Sequence, residues 1–325
     1  MMTKRRNKQV YLTIFFVISL TVLIHRYNEL NNNNKYCSCY RSASTYTNDN
    51  QMSLCSIRSA NRGLNQKIIS ISFFGPIENP EMFSMNNSIL LLEQLINEML
   101  EVYHDDWILR IYHDEKLLDR NTICHFECLY DLIDFCNVTN MNLDFIPPKI
   151  WRFLPAADET VSVMTSRDLD SPLTERERAA IDEWLLTNLS FHMMRDHPQH
   201  KAPMMGGMWA FRVEYDRQFS RLIRSKLFNQ SIITRYPLNT DQQFLADHVW
   251  PYAKYYIMTH DSYWCSDTDW NRHHRAFPTQ RLTNNVTNYC FIGCPKPCCL
   301  HANDFHQLPC PIACRPRDHQ DWTFC

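Results

Sequence analysis

Glycine is scarce in this chain, with five in 325 residues. Aromatic residues are frequent, so the composition is that of a globular protein, neither fibrous nor disordered. An excess of one charge is also missing: 33 Lys and Arg face 35 Asp and Glu, for a net charge of −2. No nucleic-acid partner and no strongly charged partner is expected from that balance. There are no internal repeats. The apolar run Val10 to Ile24 has fifteen residues, short of the about 20 that span a bilayer. The segment "HRYNEL" after it lacks the small-x-small site of a cleaved signal peptide.

What the N-terminus does have is "MMTKRRNKQ", with Lys4, Arg5, Arg6 and Lys8 ahead of that apolar run. Positive charge there keeps the N-terminus cytoplasmic. The pattern predicts an uncleaved signal-anchor over residues 10–25, a cytoplasmic tail over 1–9, and a lumenal remainder. A cleaved signal peptide is the rival reading. Fourteen cysteines and the sequons at Asn86, Asn137, Asn188, Asn229 and Asn285 agree with a lumenal body, where disulfides persist.

Residues 26–66 are polar and rich in Asn, Ser and Thr, as a flexible stem would be. The folded body begins at "KIISISFFG", where Ile69, Ile71 and Phe73 alternate with Ser70 and Ser72. That is a strand signature. A helix is predicted over 88–103, a strand over 106–114, a helix over 123–136 and a strand over 160–167. Thr174 and Glu177 form a capping box for the next helix. "SFHMMRD" and "YYIMTHD" read as further strands, and "HPQHKAPMMGGMWAF" as a loop. The alternation argues for an α/β layered domain with a parallel sheet, over 67–264. Residues 265–325, with cysteines among prolines, read as a Cys-rich extension held by cross-links.

Chemistry concentrates in "TSRDLDSP". Asp168 and Asp170 follow a strand end, where both can face one cleft. Hard divalent cations take one or two such carboxylates plus substrate phosphates. A solvated acidic turn before a helix is the ordinary alternative. Phosphatase or phosphotransferase chemistry also uses D-x-D, but its apolar approach is missing here and Pro172 follows.

The chain resembles a type II Golgi glycosyltransferase of the GT-A, nucleotide-diphospho-sugar transferase superfamily. The residues that carry the likeness are "SISFFG", "WRFLPAAD", "SRDLDS", "GGMWAF", "TDQQFL" and "THDSYW". It is closer to a group of glycosyltransferase-like proteins sharing "RDxDS…RE…W…MRDHP.H…GGMW…DQ.FL…HD", over residues 67 to 264. The resemblance implies a three-layer α/β/α domain, a nucleotide-sugar donor, a glycan or glycoprotein acceptor, and Mn²⁺ or Mg²⁺. A C-terminal "HxxGxxKPW" motif is absent, which leaves the third metal ligand open.

His260, at the end of the last strand-like run, is the candidate for that ligand, beside Asp168 and Asp170. Gly206 and Gly207 would let backbone approach a sugar or phosphate, and Trp209 could stack on a sugar face. Phe73 and Gly75 stand where the superfamily holds the nucleoside. Arg152 and Arg167 are candidate diphosphate partners. Asp241 and Asp196 are the candidate catalytic bases. The competing class is a catalytically inactive lumenal or cell-surface binding protein on the same fold. Convergence of Asp168, Asp170 and His260 within metal reach separates the two.

Overall fold

The structure, a computed structural model, describes residues 53–75, 85–267, 273–281, 291–296 and 309–325. The expected anchor over 10–25, most of the stem, and Cys37, Cys39, Cys290, Cys298 and Cys299 lie outside the described residues. Among the described residues no helix is long and apolar enough to cross a membrane.

Eight strands form one sheet: β1 (Gln66–Phe73), β2 (Ile108–His113), β3 (Ile133–Asn137), β4 (Val161–Ser166), β5 (Phe191–Arg195), β6 (Trp209–Phe211), β7 (Ile257–Asp261) and β8 (His274–Arg275). Their order is β3-β2-β1-β4-β6-β5-β7-β8. All pairings are parallel except the two made by β6, which runs antiparallel between β4 and β5.

The helices of eight residues or more are α2 (Met85–Val102), α3 (Arg120–Leu129), α4 (Glu175–Leu185), α5 (Arg217–Leu227) and α7 (Asp241–His248). The shorter ones are α1 (Ile57–Asn61), α6 (Gln230–Ile233) and α8 (Trp250–Ala253). A ten-residue 3₁₀ helix, Pro148–Ala157, precedes β4.

Strand alternation explains the layers. Ile69, Ile71 and Phe73 of β1 pack with Leu92, Leu95, Ile96 and Met99 of α2 and with Ile181 and Trp184 of α4. On the other face, Ile68, Met164 and Phe211 pack against Ile150, Phe153 and Leu154 of the 3₁₀ helix, Phe219 and Ile223 of α5, and Phe244 of α7. Ser70 and Ser72 also face this second layer and are buried, so the polar half of the alternation is not a solvent face. Two helical layers thus enclose an α/β sheet. Thr174 caps α4 by accepting from the Glu177 N–H at 3.2 Å. The Glu177 carboxylate does not close the box; it is drawn to Arg167.

Three strands escaped the periodicity, among them β8, a two-residue pairing inside the predicted Cys-rich extension. The predicted helix over 123–136 ends at Leu129, and "IDFCN" becomes β3; a continuous apolar run does not reveal its period. β6 lies within a stretch read as loop and has three residues, too few to show any period. Disulfides join Cys55–Cys136, Cys265–Cys314 and Cys310–Cys325, and Cys124 and Cys128 are also disulfide-bonded. Phe277 and Ile292 of the tail join the main core, whereas Cys310, Cys314 and Cys325 form a cluster of their own.

Candidate functional site

After β1 the chain builds outward through β2 and β3, then crosses back so that β4 lies on the other side of β1. The carboxyl ends of β1 and β4 therefore flank a topological switch point, where open α/β sheets bind ligands. The residues that follow β4 at this point are Arg167 and Asp168.

The two turn opposite ways. Arg167 points inward and is fully buried. It donates to the Gly207 carbonyl at 2.8 Å and to the Pro172 carbonyl at 3.2 Å, and pairs with Glu177 at 3.1 Å. Tyr103 donates to the same Glu177 carboxylate at 2.6 Å. Only Nε lacks a partner, and the whole guanidinium is buried away from the cleft, which corrects the expectation of Arg167 as a diphosphate partner. Asp168 points out, its side chain 43% exposed.

Arg152 reaches Asp168 from the 3₁₀ helix. Its backbone N–H donates to Ser72 Oγ at 3.1 Å, which ties the helix to the end of β1. Its guanidinium donates to Asp168 Oδ1, to the Arg167 carbonyl at 3.2 Å and to Asp241 Oδ2 at 2.8 Å. One guanidinium thus bridges two carboxylates from separate elements.

The double glycine lies against both carboxylates. A Cβ on Gly206 would stand 2.1 Å from Asp241 Oδ2, and one on Gly207 would stand 1.9 Å from Asp168 Oδ2. What needs the close approach is the chain's own acids, not the sugar or phosphate expected there. Ser166 Oγ holds the loop by donating to the Gly206 carbonyl at 2.7 Å.

Asp170 completes the acidic edge. It is exposed, and its carboxylate is bonded by no other residue among those described, only by its own backbone N–H. Its carbonyl accepts from the Lys296 N–H at 2.6 Å, so the tail reaches the rim of the cleft. Partial removal from water and the neighbouring Asp168 charge push the Asp170 pKa up. Burial pushes Asp168 up as well, but Arg152, by charge and hydrogen bond, outweighs it with help from Arg167 and Lys149. Asp168 is held below the usual carboxylate range.

Other expected site residues are elsewhere. Phe73 is fully buried in the core under α2. Gly75 lies two residues past β1, where a Cβ would meet Leu117 at 3.0 Å. Trp209 is fully buried, edge-on to Phe153 at 5.4 Å, so it stacks on no sugar. Asp196 is buried and enclosed: Arg176 donates to it at 3.1 and 3.0 Å, Arg281 at 2.6 Å, Ser262 at 2.9 Å and the Ile292 N–H at 3.0 Å. Burial pushes its pKa up, but the two arginines hold it well below the carboxylate range. It is a structural counter-ion and not an accessible base.

His260 is likewise displaced. It sits on β7, three strands from β4, which is roughly 14 Å at the usual strand spacing. Its ring contacts His192 Nε2 at 2.7 Å and Glu183 Oε2 at 3.2 Å. Both ring nitrogens are engaged, so His260 is no third ligand to Asp168 and Asp170. Among the described residues, no group of three His, Cys, Asp or Glu side chains is placed to hold a metal.

Two residues at the cleft went unnamed in the sequence. Phe74 follows the three apolar residues that point to the α2 side, so it faces the 3₁₀ helix, edge-on to Trp151 at 6.4 Å. Strand parity alone would have found it. Lys149 bonds Asn239, whose φ is +69°, and lends its charge to Asp168 and Asp170; no motif marks it.

No protein-family model matches the chain, and no curated protein matches it. Among solved structures, one similar chain is a glycosyltransferase involved in the glycosylation of the major capsid of PBCV-1. The match covers 61% of this chain and 82% of that one, at 13% identity and a TM-score of 0.33. A likeness that slight carries no argument about fold or function.

Proposed function

We propose that this chain is a glycosyltransferase, with the nucleotide-diphosphate sugar lying at the carboxyl ends of β1 and β4. The observation that carries the reading is the convergence there of Asp168, Asp241 and Arg152 upon Gly206 and Gly207, with Asp170 exposed two residues past Asp168. Three carboxylates meet one contacting guanidinium, and the least paired of them, Asp170, is the most exposed. That donor set fits a hard divalent cation in kind and charge. Asp168 and Asp170 would hold Mn²⁺ or Mg²⁺ together with phosphate oxygens. The ion would supply charge stabilisation for the departing diphosphate.

The chain's own residues set the stage for that chemistry. Arg152 fixes the Asp168 and Asp241 carboxylates relative to one another, and the glycines admit them. Of the two candidate bases only Asp241 stands in the cleft, so it is the group to accept the acceptor hydroxyl's proton. The acceptor is a glycan or glycoprotein. An anchor at 10–25 and a lumenal body in the Golgi or ER go with this reading. Its supports are the disulfides and the exposed sequon asparagines Asn188 and Asn229.

Two observations favour a second reading, a binding protein without turnover. Asp168, Asp170 and His260 do not converge, so the criterion that separates the two classes goes to this reading, and Arg152 already neutralises part of the acidic cleft. Full-length protein in detergent, tested on a panel of nucleotide sugars with Mn²⁺ or with chelator, separates the two. Metal-dependent donor hydrolysis supports the transferase. Binding without hydrolysis supports the second reading, and no binding rejects both. Hydrolysis that survives Asp170→Ala removes Asp170 from the metal site.

A further inference from the structure

A second charged region lies at the opposite end of the sheet. The amino ends of β1 and β4 meet at the Gln66 N–H to Thr160 carbonyl bond. Beside them opens a cavity of about 350 Å³ lined by Leu64, Ala157, Glu159, Arg217, Ser220, Arg221 and Arg224. β4 has six residues between this end and Asp168, so the cavity lies roughly 20 Å from the acidic cleft.

Its arginines come from one helix face. Positions 217, 221 and 224 are spaced by four and three, which stacks their side chains along α5. The opposite face of α5 is buried through Phe219, Ile223 and Leu227. Arg217 is held by one nitrogen, donating to the Asp158 carbonyl at 3.3 Å. Arg224 likewise donates to the Ala157 carbonyl at 3.0 Å. The remaining donors of each fork stay available. Arg221 is exposed and has no partner among the described residues.

None of the three arginines has an ion pair among the described residues, although Glu159 lines the same cavity. Arg110, Arg152, Arg167, Arg176 and Arg195 each contact a carboxylate. The α5 arginines therefore differ from these in keeping their charge unmatched. Three guanidinium forks in one concave space suit a tetrahedral oxyanion, which accepts their donors bidentately. The volume is that of about twelve water molecules, more than a bare phosphate fills.

We propose that this cavity is an anion-binding site for a phosphate or sulfate monoester carried on a sugar-sized group, separate from the acidic cleft. It does not depend on the glycosyltransferase reading. Titration calorimetry on the full-length protein with inorganic phosphate, glucose 6-phosphate and glucose 6-sulfate tests it. The expected result is saturable binding, tighter for the sugar esters than for inorganic phosphate. Arg221→Gln with Arg224→Gln should weaken it by about tenfold or more. Binding of inorganic phosphate as tight as the esters would reject the sugar-sized occupant. No saturable binding of any of the three, or full binding by the double variant, would overturn the site. Arg221→Gln alone removes an exposed, unpartnered side chain, so its loss of affinity cannot be charged to misfolding, and Arg221→Lys should recover part of it.

Discussion

Asp196 and Asp168 are both aspartates against arginine, at opposite ends of the range of uses for such a pair. Around Asp196 two arginines share one carboxylate, and Ser262 and a backbone N–H fill the remaining lone pairs. Arg176 also donates to the Thr279 and Cys325 carbonyls, and Arg281 to the Tyr263 hydroxyl and the Asp196 carbonyl, so the cage joins the tail to the body. Around Arg152 the ratio is reversed: two carboxylates share one guanidinium, and a third stands exposed beside them. The first cluster leaves nothing for a ligand. The second is short of positive charge on its open side. Charge ratio and exposure, more than residue type, separate a cross-link from a site.

The comparison breaks most visibly at Asp196. Asp196→Ala leaves Arg176 and Arg281 buried without their counter-charge, a loss of about 3–5 kcal/mol. Thermal unfolding should show a large fall in Tm or no folded protein at all. An unchanged Tm would mean that the cage holds nothing together. Asp170→Asn should do the reverse. Its Tm stays within the shift of a surface substitution, about 0.5 kcal/mol, while metal-dependent donor turnover falls on the order of 100-fold.

Gly207→Ala tests whether the cleft's geometry matters apart from its charge. The new methyl group displaces the Asp168 carboxylate, at a cost of about 1–3 kcal/mol for overpacking. Turnover should fall along with Tm, whereas in Asp170→Asn only turnover falls. A variant with wild-type turnover would show that the glycine is not required for placing Asp168.

The smallest effect is one of pH, and it belongs to the cage side. His200 accepts from the Asp196 N–H at 3.2 Å, and burial, with His197 adding to it, lowers its pKa to about 3. Burial and then His260 likewise lower His192. A histidine with a depressed folded pKa binds fewer protons folded than unfolded as pH falls below 6.5. Stability is therefore complete above that pH and declines below it. Each group contributes at most about 1.4 kcal/mol per pH unit. Tm measured from neutral pH downward should fall, and His200→Gln should flatten the slope; a flat wild-type profile would contradict the neutral assignment.

Much of the body was legible. The alternation Ile69, Ile71, Phe73 located β1 and its α2-facing side, and Thr174 located the start of α4. Convergence was less so. Arg152 and Arg167 are equivalent as sequence, each near an acidic or apolar segment. Arg167 is drawn inward because Glu177 and the Gly207 carbonyl await it, and Arg152 is left to the cleft. Phe73 was chosen over Phe74, although strand parity sends the first to the core. His260 was assigned by its place at a strand end, which says nothing about how many strands separate it from Asp168.

The sequence by itself determined the alternation of strands and helices, the acidic pair at the end of β4, and the scarcity of glycine that makes Gly206-Gly207 stand out. These are local properties, written in period, capping and turn chemistry. Tertiary structure alone decided the insertion of β6 between β4 and β5, which removes His260 from the acids, and the choice of Arg152 as their bridge. It also decided the enclosure of Asp196. The physical reason is that a charged side chain's role depends on which counter-charges the fold brings within a few ångströms and how much water it leaves, and neither is encoded by spacing along the chain.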